Sequence, residues 1–386
     1  MTESEVDANE QIFWMYTAFN VSNITETYSN PFDELRAGKD LVRQLAWLIG
    51  VLYAAVFMVG TLGNALIVIT VACNKSMQNV TNYFIANLAA SDFIMCIFCI
   101  PWTVVNSLMD NWIFGDVMCR LVPTIQAISV FVSITSHVVI ASDRYCMITY
   151  PLKPRLTRAI CFVIIALSWT SATALAIPIT YFTKEYDLRV YGYHIVCYEM
   201  WPSEVPKKVY EIILILLGYL IPLTVIITLY GRISYVITSR VLPGVFTEAQ
   251  ERQDLKKKQK TNRLLIAVVM TFTICWFPMY MIRIITEINP KVFSGEYHDL
   301  VFFICHWFAM SSTVYNPFVY AWLHEKYRRR LKSAFVAKCF RRSSIYRQHS
   351  KEGVATTHLQ TRDYVTNSPK STRFSSMRSL KGVDTV

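Results

Sequence analysis

Within its long apolar stretches this 386-residue sequence has little to do chemistry with. They contain no paired Asp, no histidine cluster at metal-ligand spacing and no nucleophile beside a base, which argues against an enzyme working at membrane depth. One acid, Asp92, lies deep in an apolar stretch, so there is no ring of charge from which to build an ion filter. Internal repeats, the mark of many transporters, are absent. Outside these stretches no stripe interleaves aromatic and basic residues as single-strand binders do, and no nucleic acid is expected as a partner. No cleavable leader is expected: the apolar segment near 12–19 is short, unflanked by Lys or Arg, and followed by glycosylation sequons. The first long apolar run is therefore expected to act as an uncleaved signal.

What the sequence does have is seven apolar runs, at about 46–73, 82–108, 119–149, 159–182, 208–237, 261–288 and 298–323. Lipid offers no partner to backbone N–H and C=O groups, and a hydrocarbon core about 30 Å thick takes about 20 helical residues to cross. The runs predict an all-α membrane protein, a seven-helix bundle over 46–323. Lys and Arg near the membrane mark the cytoplasmic side. Lys75, Lys153, Arg155, Arg158, the basic cluster from Arg252 to Arg263, and Lys326 with Arg328, Arg329 and Arg330 all fall on one side. Segment 1–45 is acidic and carries the sequons at Asn20 and Asn23. The expected topology is a plasma-membrane protein with a glycosylated amino terminus outside and its carboxyl terminus in the cytoplasm. The net charge of +11 then belongs to the inner face, where it meets anionic lipid headgroups and cytosolic partners.

Ten cysteines suggest a disulfide framework until the topology sorts them. Cys119, at the outer end of the third run, and Cys197, in the second outer loop, are placed to pair and to pin that loop over the bundle mouth. A closed loop of that length contributes roughly 4–5 kcal/mol by chain-entropy arithmetic, an upper figure where the helices are already anchored. Cys73, Cys96, Cys99, Cys146, Cys161, Cys275 and Cys305 read as small packing residues. Cys339 ends an amphipathic stretch, 324–340, in which Tyr327, Leu331, Phe335 and Val336 recur at helical spacing. That pattern predicts a helix lying on the inner leaflet with palmitate on Cys339. The remainder, 341–386, has the polar composition of a disordered tail.

Every run also carries a short motif. In order these are Gly63-Asn64, Asn87-Leu88-Ala89-Ala90-Ser91-Asp92, Asp143-Arg144-Tyr145, Trp169, Pro222 with Tyr230, Cys275-Trp276-Phe277-Pro278, and Asn316-Pro317-Phe318-Val319-Tyr320. With them the chain resembles the rhodopsin-like (class A) G-protein-coupled receptors over about residues 45–340. The resemblance implies a receptor that activates heterotrimeric G proteins and requires no cofactor. It also implies that Asp143 holds the charge of Arg144 at rest, and that the arginine later meets the G protein's terminal helix, supported by Tyr230 and Tyr320. Trp276 resembles the rotamer-sensitive floor of the pocket, above the packed trio Ile134, Pro222 and Phe272. Asp92 must face polar partners, since a charge at mid-bilayer costs about 2.5–3.5 kcal/mol on insertion scales. Asn64, Ser133, Ser312, Thr313 and Asn316 are the candidates, and by resemblance the cluster is an allosteric sodium site; a water-filled network without an ion is the alternative. Pro101, Pro178, Pro222, Pro278 and Pro317 are expected to kink five of the spans. His137 stands where an aliphatic residue is usual and is expected to donate to a backbone carbonyl, with altered basal activity as the other reading.

Gln126 stands where an amine receptor carries Asp, and Met310 where an opsin carries its Lys. Peptide reception remains, supported by a long second outer loop expected to form a hairpin around 187–198. Asn111-Trp112-Ile113-Phe114-Gly115, the run Tyr150-Pro151-Leu152-Lys153-Pro154-Arg155, and His306-Trp307-Phe308-Ala309-Met310-Ser311-Ser312-Thr313 resemble the neuropeptide Y, tachykinin, prokineticin and related orphan-type receptors. In neuropeptide-Y-like receptors a Gln and an outer acid of the sixth helix hold an amidated, Arg-containing ligand terminus, and Gln126 and Glu287 match that pair. An amide suits Gln, and a guanidinium suits a carboxylate. Tyr280, Arg283 and His306 complete the expected ligand set, with Arg283 one turn below Glu287 and able to pair with it. The third inner loop, about 238–260, is expected to contact the G protein. Ser368, Ser371, Thr372, Ser375, Ser376 and Ser379 are candidate sites for receptor kinases and arrestin. The ending Val383-Asp384-Thr385-Val386 has the form of a PDZ ligand. The competing reading is an orphan-type receptor with a constitutive, scavenging or partner-modulating role and little ligand-driven coupling.

Overall fold

The computed structural model describes residues 42–109, 111–187, 189, 195–239, 248–289 and 298–323. Asn20, Asn23, Cys339, the 324–340 stretch and the tail lie outside the described residues, as does the side chain of Lys258.

Seven helical spans follow one another. The first is Ala46–Cys73, and the second is two helices, Val80–Phe98 and Ile100–Met109, broken at Cys99 just before Pro101. The third, Gly115–Thr149, is 35 residues long, and the fourth is Arg158–Phe182. The fifth joins Glu204–Ile215 to Ile221–Ser239 through a π-helical turn, Leu216–Leu220. The sixth, Glu248–Ile288, and the seventh, His298–Leu323, complete the set. Among the described residues six spans are long and apolar enough to cross a membrane by length and composition, and the seventh helix runs 26 residues. The sixth begins well before residue 261, so most of the expected third inner loop is its helical extension.

The third span is the hub, packing on the second, fourth and fifth, while the seventh closes the bundle against the first and sixth. Outward faces carry bare apolar side chains such as Trp47, Leu62, Leu167 and Ile227, as a surface solvated by lipid requires. The second outer loop is a two-stranded antiparallel hairpin, β1 (Thr183–Asp187) and β2 (Ile195–Glu199), in the register Glu185↔Cys197.

Proline accounts for several cross-span bonds. A proline has no N–H to give the carbonyl four residues back, and in lipid that carbonyl must find another donor. Pro317 leaves Thr313 O, which takes the Nδ2 of Asn64 at 2.9 Å. Pro222 leaves Gly218 O, which takes the Tyr280 hydroxyl at 3.3 Å. Glycine permits both approaches: a Cβ at Gly63 would lie 2.7 Å from the Pro317 ring, and one at Gly218 would lie 2.9 Å from the Tyr280 oxygen. Pro123, inside the third span, is a further intrahelical proline that the sequence reading passed over.

Candidate functional site

At the outer end, the hairpin is tied to the third span by the disulfide Cys119–Cys197, with Cα atoms 5.5 Å apart. Asp116 Oδ1 accepts the Glu185 amide at 3.1 Å, and Asn111 Oδ1 accepts that of Ile195 at 3.1 Å, so both strands are fixed to neighbouring outer segments. Beneath lies a cavity of about 210 Å³ whose lining includes Gln126, Trp276, Tyr280, Arg283, His306 and Glu199. Four of the five expected ligand residues therefore meet in one cavity. Glu287 does not line it; its Oε1 is engaged 3.2 Å from the Lys207 ammonium. Arg283 pairs with Glu211 rather than Glu287, its Nη1 lying 2.9 and 3.2 Å from the two carboxylate oxygens. Lys207 and Glu211 both belong to the fifth span, so geometry between helices overrides the one-turn spacing of Arg283 and Glu287.

Glu199 was missed from sequence. It sits two residues beyond Cys197 in β2, hence on the same face of the strand as the pinned cysteine, and that spacing was a usable signal. Trp201 Nε1 donates to its Oε1 at 2.7 Å. Burial raises the Glu199 carboxyl above the usual carboxylate range, against the lowering effect of that bond and of the Arg283 and Lys207 charges.

His306 Nδ1 and the Phe303 carbonyl share one neighbour, the Tyr53 hydroxyl. The Tyr53 hydroxyl lies 3.1 Å from the Phe303 carbonyl, which can only accept, and 2.9 Å from His306 Nδ1. With the Tyr53 proton on the carbonyl, Nδ1–H donates to the hydroxyl and Nε2 carries the lone pair; with it on Nδ1, Nε2 carries the proton. That atom is buried and unpartnered in a cavity-lining side chain.

Below the cavity, Trp276 Nε1 donates to Ser312 Oγ at 3.2 Å, and its ring stands 6.0 Å from that of Phe272. Ile134, Pro222 and Phe272 are all buried. His137 Nδ1 lies 2.7 Å from Ser133 O, as expected, and its ring is 5.1 Å from Phe272. Asp92 is buried, with Asn316 Nδ2 donating to Oδ2 at 2.6 Å and Ser133 Oγ to Oδ1 at 3.2 Å. The other three expected partners are committed elsewhere: Asn64 to Thr313 O and Gly60 O, Thr313 to Met310 O, and Ser312 to Ala309 O.

At the cytoplasmic end the expected clasp of Asp143 on Arg144 is not formed. Asp143 Oδ2 instead accepts from Thr81 Oγ1 at 2.8 Å, a neighbouring donor on the second span that satisfies the carboxylate locally. Among the described residues Arg144 Nε is buried without a hydrogen-bond partner, and buried Tyr230 and Tyr320 lie within electrostatic reach of its charge. Asn87 links three spans, accepting from Trp169 Nε1 and donating to Ser136 Oγ, both at 2.9 Å.

A pinned outer cavity, a buried polar core and a partly buried arginine at the inner end of seven spans are the arrangement of a multi-pass membrane receptor. Residues 63–320 match the family described as 7 transmembrane receptor (rhodopsin family), and the chain belongs to it. It is 35% identical to neuropeptide Y receptor type 2 of Macaca mulatta over 316 residues, covering 80% of this chain and 81% of the relative. The same figures hold for neuropeptide Y receptor type 2 of Homo sapiens. Neuropeptide Y receptor type 6 of Mus musculus is 35% identical over 296 residues, 74% of this chain and 79% of that receptor.

Proposed function

We propose that the protein is a cell-surface receptor for an extracellular amidated peptide, activating heterotrimeric G proteins when that peptide enters the outer cavity. The observation that carries this reading is the convergence of Gln126, His306 and Glu199 over Trp276. Gln126 both donates and accepts, as a terminal carboxamide requires, and the buried Nε2 of His306 meets an amide N–H in the tautomer with Nδ1–H and an amide C=O in the other. Glu199 is the carboxylate for the ligand's cation, taking the part the sequence assigned to Glu287. The relatives bear the name of neuropeptide Y receptors, in keeping with a peptide of this kind. The test is G-protein dissociation in cells expressing wild type or Arg144→Ala, challenged with a library of amidated neuropeptides. A peptide response lost with Arg144→Ala at equal surface expression supports the reading; a well-expressed wild type that answers no peptide removes it.

The Asp92 cluster suits a sodium ion. Its donors are hard oxygens, and Ser129 Oγ, one turn from Ser133, is buried with no hydrogen-bond partner. Asp92, Ser133 and Ser129 would hold the ion, which supplies a positive charge to the buried carboxylate. A rise in thermal stability with NaCl over choline chloride, lost in Asp92→Asn, is expected; equal stability in both salts removes the site.

A further inference from the structure

Among the described residues, two charged side chains line the outer cavity, Glu199 and Arg283. Their surroundings differ. Glu199 accepts from the neutral Trp201 indole at 2.7 Å, whereas one edge of the Arg283 guanidinium is taken by both oxygens of Glu211. Glu211 lies one turn from cavity-lining Leu214 on the fifth span, so its charge acts where the cavity is. One turn further out, Lys207 and Glu287 pair at 3.2 Å and cancel each other. The result is a ladder with two rungs whose signs alternate, the fifth span contributing plus then minus and the sixth minus then plus. The outer rung pairs its own charges, and neither of its members lines the cavity. The inner rung hands one of its members, Arg283, to the cavity wall.

We propose that Arg283, held by Glu211, is a charge filter that sets how many cations the ligand's inserting terminus can carry. Two carboxylates against one guanidinium leave the cavity a single negative charge. A terminus with one Arg matches it. A second Arg meets the face of Arg283 with no free carboxylate to receive it, and like charges forced together in a confined site discriminate strongly between ligands. Arg283 thereby acts through repulsion as well as contact, and Glu211 sets its strength by occupying one edge of the guanidinium.

The inference rests on the peptide reading above, and the experiment separates the two. The probes are two amidated synthetic pentapeptides, identical except that one position is Gln in the first and Arg in the second, giving one and two arginines. Binding and G-protein activation are measured for both at matched surface expression. The quantity read is the ratio of their potencies. Wild type is expected to favour the one-arginine probe at least tenfold. Arg283→Gln is expected to abolish or reverse the preference, because Glu211 is then unpaired beside the cavity. Glu211→Gln should weaken both probes and the two-arginine probe more. Exchanging the pair, Glu211→Arg with Arg283→Glu, keeps the charge inventory but puts a carboxylate on the cavity wall, and should turn the preference towards the two-arginine probe, a reversal that a packing role does not give. Arg283→Lys, which keeps the charge without the fork, should hold the wild-type preference even if the exchanged receptor folds poorly. A ratio unmoved by Arg283→Gln while both probes still bind overturns the filter and leaves the peptide reading intact. A wild type that binds neither probe removes both.

Discussion

Thr81 Oγ1 donates to Asp143 Oδ2 at 2.8 Å, and this bond occupies the carboxylate that stands next to Arg144 in the sequence. A buried carboxylate deprived of its donor loses about 1–3 kcal/mol or finds another partner, and Arg144 is its neighbour. Thr81→Val keeps the shape and removes the hydroxyl. Agonist-free nucleotide exchange on G protein is expected to fall several-fold in that variant, since Asp143 then holds Arg144 away from its partner. Unchanged exchange at equal surface expression would mean the Thr81 bond has no bearing on the switch.

Asn64 and Pro317 form a second testable pair, through Thr313. The Thr313 carbonyl needs Asn64 because Pro317 has no N–H. Asn64→Ala is expected to lower the stability of purified receptor by about 1–3 kcal/mol by leaving a carbonyl unsatisfied at membrane depth. In a Pro317→Ala background the helix supplies its own N–H, and the same Asn64 substitution should cost clearly less. Thermal unfolding of the four receptors of this cycle measures the coupling; additive losses would show that Asn64 serves something other than the proline's orphan carbonyl.

Span positions were legible in the sequence because the bilayer demands a length, and apart from the cytoplasmic extension of the sixth the described helices begin and end near the apolar runs. The hairpin and its disulfide were legible for a related reason: topology left Cys119 and Cys197 facing one compartment, and they bond. Charged pairs were less so. Arg283 and Glu287 are one turn apart in sequence, yet each is claimed by the fifth span, because which neighbouring helix presents Lys207 and Glu211 depends on helix rotation. Asp143 beside Arg144 misled in the same way: successive helical residues point about 100° apart, and Thr81 on another span reached the carboxylate first. For Asp92, the sequence named five polar partners at suitable depth but could not say that proline's orphan carbonyl had claimed Asn64.

Removal of the disulfide should separate a stabilising role from a placing one. Cys119→Ser with Cys197→Ser is expected to lower stability by about 2–4 kcal/mol and to weaken peptide potency at least tenfold, because Glu199 sits two residues beyond the freed Cys197 in β2. Thermal unfolding and concentration–response curves of the same preparation report the two effects. Lost stability with full potency would mean that β2 holds its place without the disulfide, through its pairing with β1 and the bonds of Ile195 to Asn111 and Trp112.

Glu199 gives ligand binding a pH dependence of definite sign. Burial disfavours its ionised form, so its carboxyl gains a proton at higher pH than an exposed glutamate would, with Trp201 and the nearby cations limiting the shift. A cationic peptide binds the ionised form. Affinity for an Arg-containing amidated peptide should accordingly be full above the raised pKa and fall as pH drops through it, whereas an exposed carboxylate would hold affinity to more acid solution. In Glu199→Gln affinity should be lower by tenfold or more near neutrality and flat across the same range. Glu287→Gln should preserve the wild-type profile, because the Glu287 carboxylate is already spent on Lys207. Radioligand binding of one such peptide between pH 5 and 8 to the three receptors distinguishes the two acids: a profile abolished by Glu287→Gln and kept by Glu199→Gln would return the cation subsite to the sixth span.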